Sequence, residues 1–336
     1  MITQLSIDRF KSMRSLSIPC RKVNVFIGAP DTGKTNMLEA LYFLSRLGWS
    51  YPLDSSLRLR QDIGFEALFY RQFFDQPLQI SLRTAQPPAP NVPGEIALTA
   101  AIVAQNRSLD IQVSPLRPAS PVPFGGQLHI RELDWIRYYS YGSSEQWQYT
   151  SDPPHGPTLV GIPHGSNLLY IARHNRKVYD FLKDILSDLN WKLRFDQSQK
   201  TFRLSEVRED EILDYNLDLL SDSLKRLFFY GAILLTSENA TLVLDEPDVF
   251  AFPPYPKTLG EMIADDTSNQ FFLTTHNPYF LAGIIGKTPA DELALFVCHR
   301  DDDGATGARL LTPPDVSRVV EQGPDVFFNL DEFLTR

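Results

Sequence analysis

Residues 23–36, VNVFIGAPDTGKTN, constrain the fold more than any other stretch of the chain. Val23, Val25, Phe26 and Ile27 form a short apolar run, the pattern of a strand buried on both faces. Gly28-Ala29-Pro30-Asp31-Thr32-Gly33-Lys34-Thr35 then satisfies G-x-x-x-x-G-K-[ST], and residues 36–44, NMLEALYFL, have helical character. Strand, glycine loop and helix in that order make a cradle for a polyphosphate. Glycines let backbone N–H groups turn inward as an anion nest, and the positive end of the helix adds to the field. In that cradle Lys34 would reach the β- and γ-phosphates, the Thr35 hydroxyl would hold Mg²⁺, and the loop with Asn36 would line the nucleotide.

Residues 241–244, TLVL, read as a second buried strand, and it ends in Asp245-Glu246-Pro247. Two acids at a strand's carboxyl end fall where open α/β sheets bind ligands. Asp245 would bind the metal, and Glu246 would orient and polarise an attacking water. A third apolar run, residues 270–275 (QFFLTT), ends at His276, whose imidazole would reach the γ-phosphate or that water in the same crevice. Lys34 and Asp245 are 245 − 34 = 211 positions apart and have to meet. The core therefore draws on both ends of the chain.

Between those ends the pattern changes. Residues 78–82, 95–100 and 109–113 alternate apolar and polar side chains, as strands with one wet face do, and proline-rich segments 86–93 and 114–123 punctuate them. Residues 135–139, WIRYY, are expected to end this antiparallel sheet. Residues 143–166 read as loop, 167–191 as a helix with an apolar stripe, and 191–195 with 200–204 as a hairpin. Met1 onwards suggests two further strands around the turn at residues 11–14. The expected organisation is a discontinuous core from 1–60 and 205–336, an antiparallel β subdomain over 61–145, and a loop plus helical insert over 146–204.

Composition narrows the classes. With 43% hydrophobic and 22% charged residues, the 336-residue chain has the make-up of a folded globular protein. No apolar run reaches bilayer-spanning length, and the opening MITQLSIDRFKSM lacks the apolar core of a secretory signal, so the cytoplasm is the expected compartment. Cys20 and Cys298 alone imply no disulfide framework, and the absence of H-E-x-x-H and C-x-x-C argues against structural zinc. A net charge of −9 argues against a protein coated in nucleic acid, but leaves DNA open as a partner through a local groove.

The segments GAPDTGKTN, LLSDSLKR, TLVLDEPD and FFLTTHNP, in that order, resemble the nucleotide-binding domain of the ATP-binding-cassette superfamily. More narrowly they resemble its RecF/SMC/OLD-like branch of AAA-family ATPases, and the resemblance runs from the Phe10-Lys11-Ser12 triplet to the terminal DVFFNLDEF. It implies an α/β P-loop fold of ABC-ATPase type, a mixed sheet with an antiparallel β subdomain and a helical insert. By the same resemblance Gly28 to Thr35 are the Walker A loop, Asp245 and Glu246 are Walker B with its catalytic glutamate, and His276 is the switch histidine. Ser221 to Ser223 stand in the place of the signature motif, which in this superfamily completes the γ-phosphate site of the other subunit. Ser223 or Leu224 stands where relatives usually carry a glycine. Lys11 corresponds to the basic residue that approaches the nucleotide from the first hairpin.

The implied cofactors are ATP and Mg²⁺, and the implied assembly is a homodimer in the ATP state with no membrane. Two functions fit. One is ATP hydrolysis whose cycle of dimerisation and separation serves DNA repair or anti-phage defence. The other is a slow ATP-gated switch that holds or releases an effector protein such as a nuclease or toxin.

Overall fold

β3 (Val23–Gly28), β12 (Thr241–Leu244) and β13 (Gln270–Thr274) are buried at every position, and they lie side by side as parallel strands at the centre of a six-stranded sheet. The computed structural model describes residues 1–51, 64–85, 92–103, 108–123, 126–143, 147, 149, 158–208, 211–249 and 252–334. The expected boundaries at 60/61 and 145/146 therefore lie outside the described residues. The central sheet runs β15-β14-β3-β13-β12-β8 and also contains β8 (Ile136–Tyr139), β14 (Leu293–Arg300) and β15 (Thr306–Leu310). All pairings in it are parallel except β14 with β15.

Continuous apolar runs are needed here because the sheet has a core on each face. Val23, Val25, Ile27, Leu242, Leu244, Phe271 and Leu273 enter one core, shared with α4 (Asp222–Thr236), α5 (Pro254–Asp265) and α6 (Pro278–Lys287). Phe26, Val243, Phe272, Ala294 and Phe296 enter the other, shared with α1 (Lys34–Gly48). Helix α1 is buried almost all round because it lies between this sheet and a second, antiparallel one. α7 (Pro313–Gln322) starts with a full capping box between Thr312 and Asp315 and follows β15 towards the C-terminal end.

The antiparallel sheet has the order β2-β1-β4-β5-β6-β7, from β1 (Ile2–Phe10), β2 (Met13–Pro19), β4 (Leu78–Thr84), β5 (Glu95–Val103), β6 (Ser108–Ser114) and β7 (Arg117–Val122). Gln270 ties the two sheets at their start: its side chain accepts from Ile2 N at 2.8 Å and donates to Ile2 O and Arg21 O at 2.7 Å each. A third sheet, β11-β10-β9, is built from β9 (Lys192–Asp196), β10 (Thr201–Arg208) and β11 (Glu211–Asn216), beside α2 (Leu168–His174) and α3 (Arg176–Ser187). The mixed α/β architecture with an antiparallel sheet and a helical insert is thus what the chain forms.

Several details differ from the sequence expectation. β8, expected at the end of the antiparallel sheet, instead pairs parallel with β12 at the edge of the central sheet. The reason is two-sided burial: Ile136 and Tyr138 enter one core and Tyr139 the other. β1 and β2, expected with the core segment, belong to the antiparallel sheet. The expected helix over 167–191 is two helices, broken at Asn175, whose side chain caps α3. β7 was hidden by Pro118 and Pro121, which an edge strand tolerates. Among the described residues, no helix is long and apolar enough to cross a membrane.

Candidate functional site

The loop between β3 and α1 has glycines where side chains cannot fit. A Cβ on Gly28 would lie 2.6 Å from the carbonyl oxygen of Cys298 in the neighbouring strand. Gly33 has φ 90°, and a Cβ there would lie 2.0 Å from Thr306 Oγ1. Beneath the loop runs a directed chain of hydrogen bonds. Thr306 Oγ1 donates to Thr32 O at 3.0 Å, so the 2.7 Å contact between Ser12 and Thr306 has Ser12 as donor, and Asn36 Nδ2 donates to Ser12 Oγ at 2.7 Å.

Lys34 is 5% exposed, and its ammonium donates to Gly28 O at 3.0 Å and Ala29 O at 2.7 Å. Burial lowers its pKa, opposed by Cys298, Glu246 and Asp245. Facing it are the ends of β12 and β13. Thr35 Oγ1 donates to Asp245 Oδ1 at 3.3 Å, and Thr274 Oγ1 donates to the same oxygen at 2.5 Å. Thr274 Oγ1 also accepts from Glu246 N at 2.9 Å, which holds Glu246 at φ 46°, the left-handed region that a non-glycine residue enters only under constraint. His276 Nε2 lies 3.4 Å from Glu246 Oε1. Burial, and then Lys34, push the His276 pKa down against the pull of Asp245, so the imidazole is neutral near pH 7. Asp248 is buried with one oxygen accepting from Thr275 Oγ1 at 2.9 Å, and desolvation raises its pKa to about 7.

A cavity of about 320 Å³ opens between these groups, lined by Pro30, Asp31, Gly33, Lys34, Thr35, Asn36, Glu246, His276 and Arg300. Its donor set fits a magnesium-bound triphosphate. The ammonium and loop N–H groups suit phosphate oxygens, while a hydroxyl and a carboxylate 3.3 Å apart suit a cation that takes one or two protein oxygens and keeps several waters.

Six expected residues are not among those lining it: Gly28, Ala29 and Thr32 lie in the loop itself and Asp245 at the end of β12, while Lys11 and Ser221 turn elsewhere. Lys11 turns to α1, where its ammonium pairs with Glu39 Oε2 at 2.6 Å, because a carboxylate that is 3% exposed needs a cation beside it. From the same triplet it is Ser12 that reaches the loop. Ser221 caps α4, its Oγ accepting from Leu224 N at 3.4 Å, and Ser223 Oγ accepts from Phe252 N at 3.1 Å. Arg300 was not foreseen. It sits at the end of β14, two residues past the Cys298–Gly28 pair, and its Nε donates to Asp31 O at 2.8 Å.

The fold and this loop define the class: an α/β protein with a P-loop between β3 and α1. Residues 169–282 match the family described as "AAA domain, putative AbiEii toxin, Type IV TA system". The fold is similar to the SmcHead solved bound to the C-winged helix domain of ScpA, with 14% identity and a TM-score of 0.62 over 94% of this chain and 99% of that one. It is also similar to an Smc head domain with an extended coiled coil, bound to the C-terminal domain of ScpA from Pyrococcus furiosus. There identity is 14% and the TM-score 0.56, over 96% of this chain and 98% of that one. At such identity the likeness is one of fold. No curated protein sequence matches the chain. The matched segment lies within a chain whose fold is similar to that of Smc head domains.

Proposed function

We propose that the protein binds ATP with Mg²⁺ in the 320 Å³ cavity and hydrolyses it, using the ATP state to form a homodimer. The observation that carries this reading is the meeting of Thr35 with Asp245 at 3.3 Å, and of Glu246 with His276 at 3.4 Å, opposite the Lys34 ammonium. Lys34 and the loop N–H groups bind phosphate, Thr35 and Asp245 hold the cation, and the Glu246 carboxylate orients water and accepts its proton. Bound magnesium supplies charge neutralisation. Neutral His276 donates towards the oxygens on which charge develops. In the dimer, Ser221 and the N-terminus of α4 approach the partner's nucleotide. DNA repair or anti-phage defence is the process this cycle would serve, in the cytoplasm.

A second reading is a slow ATP-gated switch that holds an effector protein. It is favoured by the serine-rich 221–223 segment, which lacks a signature glycine, and by the protein partner held by each similar Smc head. Turnover separates the two. Purified protein that hydrolyses ATP, with Glu246→Gln abolishing hydrolysis while ATP stays bound, supports the enzyme. Turnover no greater than that of Glu246→Gln leaves the switch. Size exclusion with and without ATP reads the dimer directly.

A further inference from the structure

Given the ATPase reading of the cavity, on which this rests, we propose that Asp248 and Thr275 are positioning residues: their buried hydrogen bond sets where His276 stands opposite Glu246. The side chains of His276 and Glu246 are 39% and 38% exposed, so packing alone does not fix their 3.4 Å approach. The one other ring against His276 is that of Phe327 among the described residues, at 6.3 Å between centroids. The backbone beneath has to hold the pair.

That backbone is tied by one hydroxyl. Asn277 N donates to Thr275 Oγ1 at 2.9 Å, so the single proton of this hydroxyl goes to Asp248 Oδ2, also at 2.9 Å. The two bonds clamp the peptides on either side of His276. On the far side Asn277 accepts from Tyr279 N at 2.9 Å and Phe280 N at 3.4 Å, which joins the clamp to the start of α6. Asp248 is in turn placed by the turn that follows β12, where Val249 N donates to Glu246 O at 3.3 Å. Glu246 lies two residues before Asp248 and His276 one residue after Thr275. The inner bond therefore fixes the spacing of the outer pair.

Thr274 and Thr275 divide the work by the alternation of an extended chain. Thr274 turns to Asp245 and Glu246 N, Thr275 to Asp248. Asp248 and Thr275 are 3% and 0% exposed, so water cannot replace their bond. The other oxygen of Asp248 is buried without a hydrogen-bond partner, a cost to stability that packing by itself would not call for.

The experiment measures steady-state ATP hydrolysis in variants that remove the bond, Thr275→Val and Asp248→Ala, and in two that keep it, Thr275→Ser and Asp248→Asn. Each is made in the wild type and in a His276→Ala background. The removing variants should lose about tenfold or more in kcat with little change in KM, and the keeping variants should retain most of it. With His276→Ala the removing substitutions should cause almost no further loss, because they act through that side chain. Losses that multiply in the His276→Ala background, or an unchanged kcat in both removing variants, overturn the role. Wild-type turnover no greater than that of Glu246→Gln defeats the ATPase reading instead. The His276 ring signals in NMR of the nucleotide-free protein at neutral pH then decide the positioning. Signals displaced in Thr275→Val and Asp248→Ala and restored in Thr275→Ser and Asp248→Asn uphold it, and undisplaced signals overturn it.

Discussion

Thr274 holds Asp245 and, through the backbone, the residue after it: its hydroxyl donates to Asp245 Oδ1 at 2.5 Å and accepts from Glu246 N at 2.9 Å. One buried hydroxyl at the end of β13 thereby sets both acids at the end of β12. Thr274→Val keeps the shape and removes both bonds. It should cost about 1–3 kcal/mol in stability. ATP turnover should fall about tenfold or more, with little change in nucleotide affinity, since the lost bonds orient the acids and leave the phosphate loop intact. Denaturant melts beside steady-state hydrolysis check this, and a stability loss with unchanged kcat would refute the positioning role.

Glu246→Gln retains the backbone N–H to Thr274 and the side-chain volume but removes the carboxylate that faces His276. Hydrolysis should drop by about 10²–10⁴ while ATP binding is kept. Equilibrium binding of a fluorescent ATP analogue and phosphate release separate the two quantities.

Gly33→Ala tests the loop itself. A methyl at this position meets Thr306 Oγ1 at 2.0 Å and Ser12 Oγ at 2.7 Å, and the backbone sits at φ 90°. The variant should lose about 1–2 kcal/mol from backbone strain alone, more from the clash, and all measurable ATP binding. Retention of wild-type affinity would show that the loop has another conformation available.

Legibility in the sequence followed burial on both faces and local chemistry. β3, β12 and β13 stand out because every position is buried, and Lys34, Thr35, Asp245, Glu246 and His276 stand at the ends of those runs. β8 was assigned to the wrong sheet because four residues with mixed aromatic and basic character carry no period that names a partner. Lys11 looked the more chemical residue of its triplet, but the buried Glu39 claims it and leaves Ser12 to support the loop. Arg300 and Thr274 act through partners 269 and 29 positions away, and no local pattern records such pairings.

Asp248 gives the chain a pH dependence with a definite sign. Desolvation raises its folded-state pKa from 3.8 to about 7, with Glu246 adding to the rise and Thr275 and Arg226 opposing it. A carboxyl whose folded pKa is raised contributes stability below its unfolded value, and that contribution is lost as pH rises to the folded value. Stability from this group should therefore decline between about pH 4 and pH 7 and level off above, by at most about 4 kcal/mol. Asp248→Asn keeps the size and an acceptor for the Thr275 hydroxyl but cannot ionise. Its unfolding free energy should be flatter from pH 5 to pH 8 than that of the wild type, and higher than wild type at pH 8. Parallel slopes for the two proteins in urea melts across that range would place the titration on another group.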